Sequence, residues 1–323
     1  MKVKKFAYEK INFCNGIPPP VSVGGIILKN FVVMLDITTK WCYSIVVIKK
    51  ITTNFSEETT MNKNTYQKIL LEKGEMHVYD FGEIKMHAYK TNDFLSDEVF
   101  VFEKSNKAVV LEPPCFFDNC RELAAYLSGY EVVGVLIAYH GAGASFLPEA
   151  PKYATKNAIE YAEQGGGKAL IENFTSAFGQ AFDSAVHKID RAIGEGELQL
   201  GGIKFVIKQT REAYDVEIPQ LNAVYTHMLG HDCHSIVANA DHAQAMINEL
   251  NGYLQRGIGL ILTSHYTPED LKDAQTKIEY LQEIKKTALE CSSEQAFIDR
   301  VKACFPEYGG GNYLEMTAHM FFK

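Results

Sequence analysis

Three short segments of this sequence share one form, an apolar β-type run that ends on a histidine. Their last residues are His140, His227 and His265. Residues at strand ends enter loops, where binding sites gather, and imidazole is both the commonest metal ligand and a group that titrates near neutral pH. If the three strands share a sheet edge, the sequence predicts one site that contains three imidazoles.

The loop that follows His227 carries further candidate ligands. Residues 231–234 read His-Asp-Cys-His, so His231 and His234 are three positions apart. Side chains three apart face the same side of one helical turn, and such a turn would let both imidazoles bind one ion. Asp232 adds a carboxylate to this loop. Its simpler interpretation is a structural role in the loop rather than a role in the site.

Composition excludes several classes of function. The chain has 323 residues, 46% of them hydrophobic, and a net charge of −8. Binding to nucleic acid needs clustered Lys and Arg, and no dense basic run occurs after residue 60. No apolar run approaches the roughly 18 residues that a membrane helix needs. Seven cysteines without a CxxC pair indicate reduced thiols, so we expect a cytoplasmic protein.

The first 60 residues differ from the rest. They hold eight lysines against four acidic residues, and Pro18-Pro19-Pro20 and Gly24-Gly25 interrupt short apolar stretches. We therefore expect residues 1–60 to be an appended or mis-started N-terminal extension, of undetermined order, and the working domain to cover residues 61–323. The alternative is one or two extra strands on a sheet edge. N-terminal sequencing of native protein separates the two.

From Met61 onward, hydrophobic periodicity predicts an ordered series of elements. Strands are expected in 76–87, 99–112, 132–140, 196–209, 213–218, 221–226 and 258–265. Helices are expected in 119–128, 155–164, 168–190, 241–256, 268–289 and 293–304. Strands come in two groups, each followed by helices, which predicts an α/β architecture with helices covering stacked sheets.

This order of elements, with its turn sequences, resembles the metallo-β-lactamase superfamily over about residues 72–285. Residues 108–113, Ala-Val-Val-Leu-Glu-Pro, resemble the family's apolar strand ending in Asp-Pro, with Glu112 in place of Asp. The segment ending at His227 occupies the place of a strand ending in Gly-Asp, and the one ending at His265 that of a strand ending in Gly-His. The resemblance implies an αββα sandwich of two mixed β-sheets flanked by helices.

The metal-binding motif of that family is degenerate in this sequence. THxHxDH stands as Tyr-His-Gly-Ala-Gly-Ala-Ser over residues 139–145, so only His140 matches a ligand. Ala142, Ala144 and Ser145 replace the other His and Asp ligands. The family's later Pro-Gly-His falls on residues 210–213, which lack histidine, while a competing alignment places it on Gly230-His231. We therefore do not expect the family's two-metal site.

What remains implies a rebuilt site for one ion. His140, His227 and His265 would hold zinc, iron or manganese, with His231 or His234 as an added ligand, and the ion would activate water to hydrolyse a small-molecule substrate. Glu112 and Asp232 are the candidate general bases. The alternative is a metal-free binding or regulatory protein that has lost catalysis. The aromatic C-terminal end, residues 313–322, is expected to dock on the domain or on a second subunit of a homo-oligomer.

Overall fold

The computed structural model describes residues 62–323 throughout and, before them, the backbone of four short strands. Contacts divide the chain into two units, Met1–Thr59 and Thr60–Lys323. The strands of the first unit are β1 (Ile11–Asn12), β2 (Ile27–Leu28), β3 (Phe31–Asp36) and β4 (Ser44–Lys49). They form an antiparallel sheet in the order β1-β4-β3-β2. Most of the predicted extension lies outside the described residues, so its nature stays a prediction.

An eight-stranded sheet forms one layer of the second unit. Its strands, adjacent in chain order, are β5 (Gln67–Leu70), β6 (Glu75–Asp80), β7 (Lys85–Lys90), β8 (Glu98–Lys104), β9 (Lys107–Leu111), β10 (Glu131–Leu136), β11 (Lys152–Thr155) and β12 (Arg191–Ile193). β5 to β9 are antiparallel, whereas β9 to β12 are parallel. Parallel neighbours need crossover connections. These contain α1 (Phe117–Tyr126) before β10, and α2 (Lys156–Glu163) and α3 (Gly166–Phe178) before β12.

A six-stranded sheet forms the second layer. Its strands, again in chain order, are β13 (Gly196–Leu200), β14 (Ile203–Gln209), β15 (Tyr214–Ile218), β16 (Ala223–Tyr225), β17 (Leu260–Thr263) and β18 (Tyr266–Glu269). Gly201 and Gly202, both at positive φ, close the tight turn between β13 and β14, which needs left-handed residues at both central positions. Only β16 and β17 are parallel, and α4 (Ala240–Arg256) connects them.

Helices cover the outer face of the six-stranded sheet. α4 packs on α5 (Leu271–Glu290), and α6 (Glu294–Cys304) and α7 (Gly311–Phe321) complete this layer. Val224 and Ile261 of the sheet belong to the same buried cluster as apolar residues of these helices. Asp270 and Asp273 form a capping box that starts α5 by accepting backbone N–H groups. Between the two sheets, Phe102 and Phe205 pack edge to face.

The predicted α/β sandwich of two mixed sheets flanked by helices is confirmed. The helix predicted over 168–190 ends at Phe178, because Gly179 adopts a positive φ that a helix cannot continue. The strand predicted up to His140 ends earlier, at Leu136. Neither β18, which contains Pro268, nor α7 was expected as an element. Within the described residues, every helix is too short or too polar to cross a membrane.

Candidate metal centre

The strand directions bring the candidate residues to one edge of the sandwich. β9 and β10 are parallel, so Glu112 and His140 lie beyond the carboxyl ends of neighbouring strands in the first sheet. β16 and β17 are parallel in the second sheet, and His227 and His265 follow their ends. Because β8 runs antiparallel to β9, Asp97, just before its first residue, lies at the same edge.

Backbone and side-chain hydrogen bonds join the two sheets at this edge. The Glu98 amide donates to the Ser264 carbonyl over 2.6 Å. The Tyr225 hydroxyl, from the second sheet, donates to Glu112 Oε1 in the first over 2.9 Å and also contacts the Ser264 hydroxyl. The loops that carry the three histidines are therefore fixed relative to one another.

His140, His227 and His265, here called the histidine centre, converge as the sequence predicts. One nitrogen of each imidazole lies within 4.8 Å of a nitrogen of the other two. The ring centroids are 5.2 to 5.6 Å apart. A tetrahedral zinc ion with Zn–N distances of about 2.0–2.1 Å needs nitrogens about 3.4 Å apart. The spacing is therefore compatible with one ion.

Asp97 lies beneath the histidine centre and is fully buried. Its Oδ1 is 3.1 Å from His265 Nδ1, and its Oδ2 is 3.9 Å from His140 Nδ1. The Cys115 thiol donates to the same Oδ2 over 3.4 Å. Burial alone would raise the pKa of Asp97, but the two neighbouring imidazoles hold it below its usual range. A buried carboxylate behind metal-binding histidines commonly orients the rings.

Glu112 is a buried hydrogen-bond acceptor at the same edge. Oε1 accepts from the Tyr139 amide over 2.6 Å and from the Tyr225 hydroxyl, while Oε2 accepts from the His140 amide over 2.9 Å. Its Oε2 is also 3.7 Å from His140 Nδ1. With both oxygens engaged by donors, the carboxylate is arranged to position His140, and the general-base role stays a prediction.

The electrostatics of the histidine centre differ from ring to ring. Desolvation and the nearby imidazoles of His265 and His140 lower the pKa of His227 well below its usual value. Burial alone would lower the pKa of His265, but the adjacent Asp97 carboxylate raises it. The Tyr139 ring packs against the His227 ring at 4.4 Å between centroids. A neutral His227 has a free lone pair for a metal ion.

Three buried polar atoms at the centre have no hydrogen-bond partner. They are Asp97 Oδ1, His140 Nδ1 and His265 Nδ1, and the short approach of the Asp97 and His265 atoms is too misaligned for a hydrogen bond. Among the described residues, the ion-pair contacts of Asp97 and Glu112 are with imidazoles only. Two buried carboxylates beside three imidazoles, without Lys or Arg, fit a bound divalent cation.

His231 belongs to a second group, the His231 cluster, which it forms with Glu269 and Asp273. His231 Nδ1 is 2.7 Å from Glu269 Oε1, which also accepts the His231 amide, and Nε2 is 3.5 Å from Asp273 Oδ1. The Lys63 ammonium pairs with Asp273. Hydrogen bonding to Glu269 raises the pKa of His231, which favours the imidazolium form. The cluster is therefore arranged as an ion-pair network.

The other two predicted residues of this loop lie outside both groups. His234 is buried, with Nδ1 3.3 Å from the Tyr280 hydroxyl, and burial lowers its pKa to about 4. Asp232 is exposed, and its negative charge contributes to raising the pKa values of Tyr266 and His231. The structure thus brings together three of the five predicted metal ligands, while His231, His234 and Asp232 have other surroundings.

The residues that replace the family's ligands are held in the loop by burial and by backbone hydrogen bonds. Ala142 is buried and its backbone pairs with Val186 in an isolated β-bridge. The Ser145 amide donates to Asp183 Oδ2 over 2.7 Å, and the Ala144 amide to the Ala185 carbonyl. Sequence reasoning did not identify Asp97 as a site residue. The only feature of the sequence that could have indicated Asp97 is its position directly before β8, the first strand of the hairpin that leads to Glu112.

No family model matches this chain, and no curated protein matches it. Among solved structures it is similar to the inverting sec-alkylsulfatase Pisa1 from Pseudomonas sp., with 11% identity over 76% of this chain and a TM-score of 0.54. The chain spans about half of that enzyme, 49% of its length. It is also similar to a metallo-β-lactamase from Erythrobacter litoralis (14% identity, 67% of this chain, 100% of that chain, TM-score 0.46) and to the DIM-1 metallo-β-lactamase (14%, 67%, 99%, 0.44).

At these identities the likeness concerns the fold. The second unit, with its two helix-flanked mixed sheets, has the αββα architecture that the sequence resemblance predicts, and the likeness to the alkylsulfatase is in line with this fold.

Proposed function

We propose that this protein is a metal-dependent hydrolase of small molecules with one ion, held by His140, His227 and His265. The observation that carries the proposal is the convergence of three imidazoles above the buried, partly unpaired Asp97 carboxylate. A bound zinc ion would supply a Lewis acid that lowers the pKa of a bound water to near 7. Iron or manganese in the same ligand set would act in the same way.

The protein's own groups hold the ligands in place. Asp97 faces Nδ1 of both His140 and His265, so its negative charge attracts these two nitrogens and favours Nε2 as the atom directed away from it. Glu112 fixes the backbone of Tyr139 and His140 through two amide hydrogen bonds. Tyr139 packs on the third ring, His227. Each ligand therefore has a neighbouring side chain that limits its rotation, as a preorganised metal site requires.

One ion is proposed rather than two because the second ligand set is missing. Ala142, Ala144 and Ser145 offer no imidazole or carboxylate, and their backbones are engaged in packing contacts. The same observation favours the alternative, a metal-free binding protein that keeps the cleft and has lost catalysis. Metal content separates the two functions.

The experiment measures zinc, iron and manganese in purified, tag-free full-length protein before and after reconstitution. We expect about one equivalent of one ion, because a single set of three imidazoles binds a single ion. The metal-loaded protein is then assayed with a panel of carboxylic, phosphate and sulfate esters. Less than about a tenth of an equivalent after reconstitution would contradict the hydrolase proposal, since metal binding to a preformed site is strongly favourable.

Two variants make the measurement specific to the histidine centre. His227→Ala removes one of three ligands. It should weaken the binding of Zn²⁺ by more than the roughly 10- to 100-fold expected when a residue that only contacts a metal ligand is changed. His319→Ala is the matched control, because it removes an imidazole that is 58% exposed on α7. Equal metal affinity in the two variants would contradict the assigned ligand set.

A further inference from the structure

The His231 cluster contains ligand atoms that make no hydrogen bond. Glu269 Oε1 accepts from both the amide and the ring of His231. Asp273 Oδ2 accepts from the Asp270 amide and pairs with Lys63. In the described part of the chain, Glu269 Oε2 and Asp273 Oδ1 have no hydrogen-bond partner, and His231 Nε2 approaches Asp273 Oδ1 only to 3.5 Å. Each of the three side chains therefore has one nitrogen or oxygen that is free to bind an ion.

The spacing of these groups fits one metal ion. One ligand atom of each side chain lies within 4.8 Å of a ligand atom of the other two. The 3.5 Å between His231 Nε2 and Asp273 Oδ1 is close to the roughly 3.4 Å that separates two ligands of a tetrahedral ion with bonds of about 2.0–2.1 Å. The imidazole side chain is 25% exposed, whereas Glu269 and Asp273 are 6% and 5% exposed. An ion can thus reach a pair of nearly buried carboxylates from the imidazole side.

The charges around the cluster favour a cation. Asp270 adds a third carboxylate, and it shares the Lys63 ammonium with Asp273. The buried Lys277 ammonium is close by, but its hydrogen bonds go to two backbone carbonyls of the loop after His227. Three carboxylates therefore face one ammonium and one imidazole. A buried carboxylate is costly without a compensating positive charge, and a divalent ion would supply that charge.

The cluster joins the segments that carry two ligands of the histidine centre. His231 comes four residues after His227, and Glu269 comes four residues after His265. Asp273 lies in the first turn of α5. An ion held by all three side chains would tie the loop after His227 to β18 and to α5.

We infer that the His231 cluster is a second metal site, in which its imidazole and two carboxylates bind a divalent first-row transition-metal ion. Carboxylates suit Mn²⁺ and imidazole suits the later ions of this row, so the mixed set fits this class. Two carboxylates and a neutral imidazole balance the charge of the ion. Binding releases the His231 proton to solvent and separates Lys63 from Asp273, so the affinity is lower than that of the histidine centre. The inference does not depend on the proposed hydrolase activity.

The test is a titration with Mn²⁺, followed by electron paramagnetic resonance, on full-length protein that holds one equivalent of zinc. At a given site zinc binds more tightly than manganese, so zinc stays in the histidine centre. The titration is done at pH 8, because a metal ligand must be a neutral imidazole. We expect one Mn²⁺ to bind per chain, and its pulsed spectrum to show coupling to one imidazole nitrogen.

Three variants make the test specific to the cluster. His231→Gln and Glu269→Gln each remove a ligand at nearly constant size. Each should weaken Mn²⁺ binding by more than the roughly 10- to 100-fold expected when a residue that only contacts a ligand is changed. Lys63→Met removes the competing ammonium and should tighten binding by about two- to fivefold, the strength of a partly exposed ion pair.

His319→Gln is the matched control. Its imidazole also faces a carboxylate, Glu294, at 3.2 Å, but both groups are exposed, so Mn²⁺ binding should be unchanged. No Mn²⁺ binding at millimolar concentration, two or more imidazole nitrogens on the bound ion, equal affinity in wild type and Glu269→Gln, or weaker binding in Lys63→Met would overturn the inference. The nitrogen count in the wild-type protein and the Glu269→Gln titration decide the question even if His231→Gln fails to fold.

The same measurements separate the second metal site from the proposed function. Mn²⁺ binding that is lost in Glu269→Gln supports the His231 cluster as a metal site even if no ester is hydrolysed. Conversely, zinc binding at the histidine centre with no Mn²⁺ binding to the zinc-loaded protein would retain the hydrolase proposal and reject the second site.

Discussion

Replacing Glu112 by alanine tests whether this carboxylate holds the two sheets together at the site edge. The change leaves the Tyr139 amide, the His140 amide and the Tyr225 hydroxyl without their acceptor. Hydrogen bonds to charged groups contribute about 1.5–3 kcal/mol each, and removing one partner of a buried charged pair costs about 3–5 kcal/mol. Because removal also relieves the desolvation of the carboxylate, we expect a loss of about 3 kcal/mol in unfolding free energy.

Glu112→Gln gives a graded comparison at the same position. The amide keeps an acceptor oxygen for the Tyr139 amide and the Tyr225 hydroxyl, but it places an N–H group against the His140 amide. An unmatched pair of buried donors costs about 1–3 kcal/mol, so the glutamine variant should lie between wild type and Glu112→Ala. Glu197→Ala is the control, because its ion pair with Lys204 is exposed and such pairs contribute less than about 1 kcal/mol.

Urea unfolding followed by circular dichroism measures the three variants. A loss of about 3 kcal/mol corresponds to a decrease in Tm of roughly 6–12 °C for a domain of this size. If Glu112→Ala and Glu197→Ala unfold within about 0.5 kcal/mol of each other, which is the range of an ordinary surface substitution, the assigned hydrogen bonds do not stabilise the fold.

Two further predictions concern the carboxylates that face imidazoles. Asp97→Asn should weaken Zn²⁺ binding by about 10- to 100-fold in a chelator competition, because it removes the charge that orients His140 and His265; unchanged affinity would contradict that role. In the His231 cluster, hydrogen bonding to Glu269 raises the pKa of His231 in the folded state. The contribution of this ion pair to the free energy of unfolding is therefore complete below the unfolded-state pKa near 6.5, and it is lost as pH rises through the folded-state pKa. His231→Gln should therefore destabilise the protein more at pH 6 than at pH 9 in urea unfolding, and an equal effect at both pH values would count against the ion pair.

Much of the fold could be predicted from the sequence because its signals are local. Apolar runs such as residues 108–111 and 260–263 form buried parallel strands, whose side chains face packed layers on both sides. The parallel order of these strands places the residues after them at one edge, which is why His140, His227 and His265 could be predicted together.

The supporting residues depend on contacts that are distant in sequence. Glu112 meets Tyr225 across 113 positions, and Asp97 lies next to His265 because the neighbouring Glu98 amide hydrogen-bonds to the Ser264 carbonyl of the other sheet. Neither contact has a periodic pattern in the sequence, so the carboxylate behind the histidines was not predicted.

The loop after His227 shows the limit of spacing arguments. His231 and His234 are three residues apart, but the buried Lys277 ammonium donates to the carbonyls of Gly230 and Cys233, both over 2.8 Å. These hydrogen bonds shape the loop so that His231 faces Glu269 and His234 faces Tyr280. A tertiary contact from α5 thus determines which way each imidazole points.

X-ray absorption spectroscopy of the zinc-reconstituted protein tests the histidine centre most directly. The account predicts a first shell of three imidazole nitrogens at about 2.0–2.1 Å with one further light atom, and one imidazole fewer in any ion retained by His227→Ala. A first shell with sulfur, with fewer than three imidazoles in the wild-type protein, or with the same ligands in His227→Ala would contradict it.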